Sequence, residues 1–348
     1  MSDLTVRMYQ PGDEAGIIDL YNSVFPNRID RSHWEWKFRD NPAGFPLIGV
    51  AVQDSKIIGH ISLNAVQAFV KGQRIRAAQA VDVMVNTKCR GGRVITQVAD
   101  LCTEQLESGY ATFSFGFPLP RFQIFTRRIL GWIEVGKVPQ LVKLVNAAFV
   151  ARSSLRGRSR LQRCVRGLGQ AVALGWRRRK IEDNQKPPVT RLTDFDSRLD
   201  RLWEDTASGF QIAVVRDRRY LSWRYAHPDY VIYAVAEPDR MHGFVVLRTL
   251  IDEGWRIGCI ADVLARDVDT ARRLLRTAVA HFYREKVDLV RCWMLGHSPY
   301  YTILRRLGFI PRPNPYKLVV RTHSPSVPLS FLLEPTHWYV TLGDTDGI

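Results

Sequence analysis

Five landmarks in the first half of the chain return in the second, in the same order, at offsets that shrink steadily from 187 to 174 residues. Trp36 returns as Trp223, Gly59 as Gly243, Asp82 as Asp262, Gly131 as Gly308 and Lys143 as Lys317. An offset that drifts in one direction is what deletions in the loops of a duplicated domain produce. A duplicated domain must fold as one supersecondary unit twice over. The 348 residues leave room for two domains of about 150 residues each.

Within the first copy the pattern alternates between strand and helix periods. Residues 6–9 alternate as a short strand. A turn at residues 10–14 opens a helix whose apolar stripe is Ile17, Ile18, Tyr21 and Val24. An aromatic segment, residues 32–40, stops at Asn41-Pro42. Residues 47–52 and 57–63 are expected as a hairpin, and residues 66–76 and 77–85 as two further strands. Residues 80–85 are apolar and run into a basic turn with two glycines. A helix follows, with Val94, Val98, Leu101 and Cys102 on one face. A strand at residues 110–117, a helix at 121–129 and strands over 132–145 close the copy. Trp34, Trp36, Phe38, Trp223 and Tyr225 are expected in matching cores.

The strand–turn–helix at residues 80–98 resembles the acyl-CoA-binding core of the GCN5-related N-acetyltransferase (GNAT) superfamily, whose turn is Arg/Gln-x-x-Gly-x-Gly/Ala. The order strand, helix, strands, helix, strand, helix, strand matches that family as well. Aligned from Arg90, this chain has Arg93 at the glycine position. The resemblance implies an α/β fold with a mixed sheet, two GNAT-like acyltransferase folds in tandem. The expected division is residues 1–150, a linker at 151–188, and 189–348. The last of these would be a copy without coenzyme A, carrying a C-terminal tail. In its turn Asp267 and Asp269 stand where phosphates would sit, and like charges oppose a diphosphate. Both are expected as helix caps.

What the resemblance implies for chemistry is direct transfer. A neutral amine attacks the thioester of acetyl-CoA or another acyl-CoA. The enzyme orients the reactants, removes a proton and stabilises the oxyanion. Backbone groups of Val83, Met84 and Val85 would hold pantetheine and offer an N–H to the thioester oxygen. Arg90, Gly91, Gly92, Arg93 and Val94 would hold the diphosphate, because a helix N-terminus gathers free N–H groups and favours an anion. Asp82 is the candidate base, with a structural role as the alternative. His33, Glu35 and His60 are further alternatives. The family's leaving-group tyrosine falls at Arg127 and Leu304 here, neither of which can serve, so Tyr301 is the candidate acid beside Tyr300. The acceptor is expected to be a small amine, such as an amino sugar or an envelope precursor. An aminoacyltransferase of the FemABX type, using aminoacyl-tRNA, and a non-catalytic acyl-CoA-binding scaffold are the rival readings.

Composition bears on partners. The net charge of +16 suggests something acidic: nucleic acid, an anionic membrane surface or a phosphorylated ligand. Much of it falls in residues 151–188, where arginines interleave with leucines. A solvated linker, a helix packed on the domains, membrane-surface attachment and RNA binding are all open there. The five cysteines are scattered without metal-ligand spacing, so free thiols in a reducing, cytoplasmic compartment and no metal are expected. Neither a cleaved leader nor a spanning helix is expected. The tail should end in a strand over residues 337–342 and a polar end at 343–347.

Overall fold

The computed structural model describes residues 4–89, 92–146 and 187–347. The first series of elements is β1 (Leu4–Met8), α1 (Glu14–Val24), α2 (Arg31–Trp34), β2 (Leu47–Gln53), β3 (Lys56–Val70), β4 (Gln73–Val85), α3 (Arg93–Gln105), β5 (Phe113–Gly116), α4 (Gln123–Arg128), β6 (Ile133–Lys137) and β7 (Gln140–Leu144). The second opens with β8 (Val189–Leu192), α5 (Arg198–Ala207), β9 (Ile212–Val214), α6 (Arg218–Arg224), β10 (Tyr230–Ala236), β11 (Met241–Asp252) and β12 (Trp255–Ala265). It continues with α7 (Val268–Arg284), β13 (Leu289–Trp293), α8 (Pro299–Arg306), β14 (Ile310–Arg312), β15 (Lys317–Thr322), α9 (Leu329–Leu332) and β16 (Trp338–Tyr339). Apart from the short β9, α9 and β16, the two series match element for element.

Two compact units result, and each draws on interleaved segments. The first takes Met1–Lys137, Phe210–Arg224 and Pro315–Trp338; the second takes Val138–Gly209, Tyr225–Asn314 and Tyr339–Ile348. The main path of the first sheet is β1-β2-β3-β4-β5-β15-β6, and the second sheet is β14-β7-β13-β12-β11-β10-β8. Thus β15 lies between β5 and β6, while β7 lies between β13 and β14. Each copy sends its last strand into the other sheet. The reason is local. Only Val138-Pro139 separates β6 from β7, and a two-residue hairpin needs positive-φ residues such as Asn-Gly there. Proline fixes φ near −65° and keeps the preceding residue extended, so the chain runs on instead of folding back.

Inside the first unit, α3 packs on the sheet where two glycines permit it. A Cβ at Gly49 would come within 2.7 Å of Cys102 Sγ, and one at Gly59 within 2.9 Å of Val94 Cγ1. The buried face of α3 is Ile95, Val98, Ala99 and Cys102; it shares Val98 and Cys102 with the stripe read in the sequence, whose other members, Val94 and Leu101, are half-buried. The opposite sheet face buries Ile17, Leu20, Trp34, Phe38, Ile48, Val50, Val81 and Met84 under α1 and α2.

Three expectations change. Residues 66–76 are not one strand: β3 runs to Val70, turns at Lys71-Gly72 with positive φ at both, and returns as β4. The tail is strand only over Trp338–Tyr339, and the first part of its polar end is buried, with Leu342, Gly343 and Asp344 in a short 3-10 turn closed by a Thr341–Asp344 capping box, while Asp346 and Gly347 are exposed. Trp36 and Trp223 are half-buried and stack on each other, whereas Trp34, Phe38 and Tyr225 are core residues.

Candidate functional site

In the first sheet β4 and β5 run parallel but pair only from Ala77 to Gln79, opposite Phe113 to Phe115. Beyond Gln79, β4 carries a bulge: its partners on β3 jump from Ser62↔Val81 to His60↔Met84. Past the bulge, Asn86 N–H donates to Ile58 O, so Asn86 and Met84 address β3. Strand alternation then turns the N–H and C=O of Val83 and Val85 to the opposite, β5-facing edge. Among the described residues, no side chain hydrogen-bonds the backbone of either.

That open edge leads into the N-terminus of α3. Gly92 caps the helix at φ 82° without a side-chain cap, and no acidic residue lies in the first turn. Thr96 N–H is the donor that closes on Gly92 O, which leaves the N–H groups of Arg93, Val94 and Ile95 without intrahelical acceptors. Val94 sits over Gly59, and Gly59 pairs with Val85, so edge and helix start share one end of the sheet. Free donors, a favourable helix dipole and the exposed Arg93 form an anion-accepting corner. Arg90 and Gly91, expected in the same corner, lie outside the described residues.

The second sheet has the same divergence, filled. There β12 and β13 pair only from Ile257 to Cys259, opposite Leu289 to Arg291, again followed by a bulge. Here the backbone is occupied. Ala265 N–H donates to the Tyr300 hydroxyl at 3.0 Å, and the Tyr339 hydroxyl donates to Val263 O. The buried Gly343 lies against the strand, where a Cβ would be 3.1 Å from Ala261 O. At the start of α7, Asp267 accepts from Thr270 N–H at 2.7 Å and from its hydroxyl at 2.8 Å, as a cap should; Asp269 adds a carboxylate to the same turn.

At the bulge of β4 stands Asp82, buried and in the left-handed region at φ 49°. Lys37 Nζ, itself buried, donates to both carboxylate oxygens at 2.8 and 2.9 Å. His60 Nδ1 lies 2.8 Å from Asp82 O, which can only accept, so Nδ1 carries the proton. His60 is fully buried, and desolvation holds its pKa below the usual value, so it stays neutral. Lys37 was not singled out in the sequence. Its signal was available: Lys37 follows Trp36 as Arg224 follows Trp223, and both cations are buried.

Other candidates are scattered. His33 is exposed and meets Trp36 edge-on at 5.3 Å. Glu35 accepts from Arg31 and Arg39, which holds its carboxyl below the usual range. Arg127 is exposed on α4. Tyr300, Tyr301 and Leu304 lie on α8, in the second unit, where Tyr301 is half-buried and Leu304 is core. Cys89, Cys102, Cys259 and Cys292 are free thiols; Cys164 lies outside the described residues. The basic segment 151–186 lies outside them too, and with it the expected membrane or RNA contact. Among the described residues, no group of His, Cys, Asp and Glu could hold a metal ion, and no helix is long and apolar enough to cross a membrane.

A family model described as an acetyltransferase (GNAT) domain matches residues 5–135. No curated protein matches the sequence. Among solved structures, the chain is similar to a GCN5-related N-acetyltransferase from Anabaena variabilis, with a TM-score of 0.65 at 11% identity over 92% of this chain and 73% of that one. A GCN5-related N-acetyltransferase from Kribbella flavida gives a TM-score of 0.60 at 14% identity, over 92% and 71%. The N-myristoyltransferase of Saccharomyces cerevisiae, solved with myristoyl-CoA, gives 0.58 at 11%, over 92% and 79%. At such identities these likenesses concern the fold.

Proposed function

We propose that this chain, whose residues 5–135 match an acetyltransferase (GNAT) domain, is a GNAT-type acyltransferase that moves an acyl group from acyl-CoA to the amine of a small molecule, using the first unit. The observation that carries this reading is the contrast between two equivalent places. The edge at Val83 and Val85 and the start of α3 are free of protein partners among the described residues. Their counterparts in the second unit are taken by Tyr300, Tyr339 and Asp267. A cofactor with amide groups and a diphosphate suits the free set. It has nothing to bind in the occupied one.

In this reading Val83 and Val85 pair with pantetheine as an added strand would, while the Met84 backbone serves β3. A backbone N–H at the bulge meets the thioester oxygen and stabilises the oxyanion. Gly92, Arg93 and Val94, with Arg90 and Gly91, hold the diphosphate; arginine side chains there supply charge-assisted bonds in place of the missing glycine. The amine nitrogen bonds to the carbonyl carbon, the C–S bond breaks, and the thiolate leaves; the proton lost by the amine balances the one the thiolate gains. The two Lys37 bonds on Asp82 favour the structural alternative for that carboxylate over the base. A thiolate can leave without a protein acid; Tyr301, the candidate acid, belongs to the second unit, so Tyr301→Phe should leave turnover unchanged.

A thermal-shift screen with acetyl-CoA and longer acyl-CoAs tests the reading, since a ligand that binds only the native state must raise its stability. Acyl-CoA consumption with a panel of amines, amino sugars included, then tests transfer. No shift with any acyl-CoA rejects the site. The net charge of +16 supports one second reading, an aminoacyl-tRNA-dependent transferase. Binding to tRNA that falls steeply with salt would favour it.

A further inference from the structure

We propose that Lys37 and His60 are positioning residues for the acyl carbonyl: between them they hold Asp82 in the bulge of β4 and so aim the adjacent Val83 N–H at the thioester oxygen. The inference rests on the acyl-CoA reading of the first unit. A bulge places an extra residue in one strand and bends it, and in one class of bulge that residue is left-handed. Asp82 keeps one, at φ 49°. A left-handed non-glycine residue persists where its surroundings over-determine it. Here they do so from two sides. Lys37 Nζ holds the side chain through both oxygens, and His60 Nδ1–H holds the main-chain carbonyl at 2.8 Å. The next residue along is Val83, whose peptide N–H is fixed by the same peptide plane that His60 anchors.

The repeat supplies an internal control. Lys37 and Asp82 correspond to Arg224 and Asp262, so a cation and a carboxylate stand at these positions in both copies. His60 corresponds to Phe244: Gly59 and Gly243 precede them, and they pair with the equivalent residues Met84 and Leu264. Asp262 is absent from the residues with positive φ. The left-handed Asp and its histidine anchor therefore occur together only in the copy whose β edge is open. His60 Nε2 fits the same account. It is buried without a hydrogen-bond partner, a penalty that a phenylalanine would avoid and that the Nδ1 bond to Asp82 explains.

The test separates the carbonyl from the rest of the cofactor. Acetyl-CoA and S-ethyl-CoA differ at the thioester oxygen and share the pantetheine and diphosphate. Titration calorimetry on the full chain should give wild type a preference for acetyl-CoA of about fivefold, the worth of one hydrogen bond. Lys37→Met and His60→Phe should bring that preference to about one, while S-ethyl-CoA affinity stays within about threefold; Lys37→Arg, which keeps the cation and matches Arg224 at the equivalent position of the repeat, should keep the preference. If stranding a buried carboxylate unfolds Lys37→Met, the double variant Lys37→Met/Asp82→Asn, which strands no charge, takes its place. Variants that retain the preference, or that lose both ligands equally, overturn the proposal. Wild type that binds neither ligand overturns the acyl-CoA reading instead.

Discussion

Trp36 and Trp223 each donate an indole N–H to the other's backbone carbonyl, at 2.8 and 2.7 Å, with their rings stacked 5.5 Å apart. They are equivalent positions of the repeat, so the contact is self-complementary: what one residue gives, it receives. Trp36→Phe keeps a ring and removes one donor, and should destabilise by about 1 kcal/mol in urea unfolding. Trp36→Ala should cost about 3 kcal/mol. In a double-mutant cycle with Trp223→Phe the two losses should be close to additive, because each acceptor is a backbone carbonyl that neither substitution removes; a coupling of about 1 kcal/mol or more would mean that the ring stacking depends on both indoles.

The corner at the start of α3 depends on donors that no protein group claims. Alanine at both Arg90 and Arg93 should raise the coenzyme A dissociation constant at least about tenfold, a loss of about 1.4 kcal/mol or more. No change would mean that the backbone alone holds the diphosphate. Calorimetric stoichiometry is a companion measurement. One ligand per chain is expected, because the Asp267 cap and the Tyr300 and Tyr339 hydroxyls leave the second place nothing to offer. Two ligands per chain would contradict that.

Tyr300 gives the converse experiment. Its hydroxyl accepts from Ala265 N–H, so Tyr300→Phe strands a donor beside the buried ring. The expected cost is about 1–3 kcal/mol in unfolding free energy. Coenzyme A affinity should not change, since the first unit carries the site. A variant that keeps its stability and loses ligand binding would reverse the assignment of the two units.

Much of this architecture was legible because a duplicated domain repeats its landmarks. The drift from Trp36/Trp223 to Lys143/Lys317 located matching elements, and Asp267 was readable as a cap from its place before an amphipathic helix. The exchange of β7 and β15 was not read, though a signal existed: Val138-Pro139 offers neither glycine nor asparagine for a tight hairpin. Lys37 was missed for a different reason. A lysine among aromatics looks like a solvated neighbour of a core stripe until a bulge some 45 residues later brings Asp82 to it. The burial of residues 342–344 was hidden because Gly343, Asp344 and Thr345 are turn formers, and only the neighbouring strand decides whether such a turn faces water.

His323 makes stability depend on pH in a direction that can be worked out. It follows β15, with Nε2 2.9 Å from the buried Ser114 hydroxyl and Nδ1 without a partner, beside a cavity of about 310 Å³ that Glu107 and Leu329 help line. Burial, and then the charge of Arg321, push its pKa from 6.5 down to about 4. The folded state therefore binds the proton less readily than the unfolded one. The stability this contributes is fully present above about pH 6.5 and is lost as pH falls toward about 4. His323→Gln can still offer a side-chain partner to Ser114 but does not titrate. Melting temperatures at pH 7.5, 5.5 and 4.5 should therefore fall more steeply for wild type than for the variant. Parallel curves would mean that His323 ionises with no cost to the fold, and that the closed packing around its ring opens before the proton arrives.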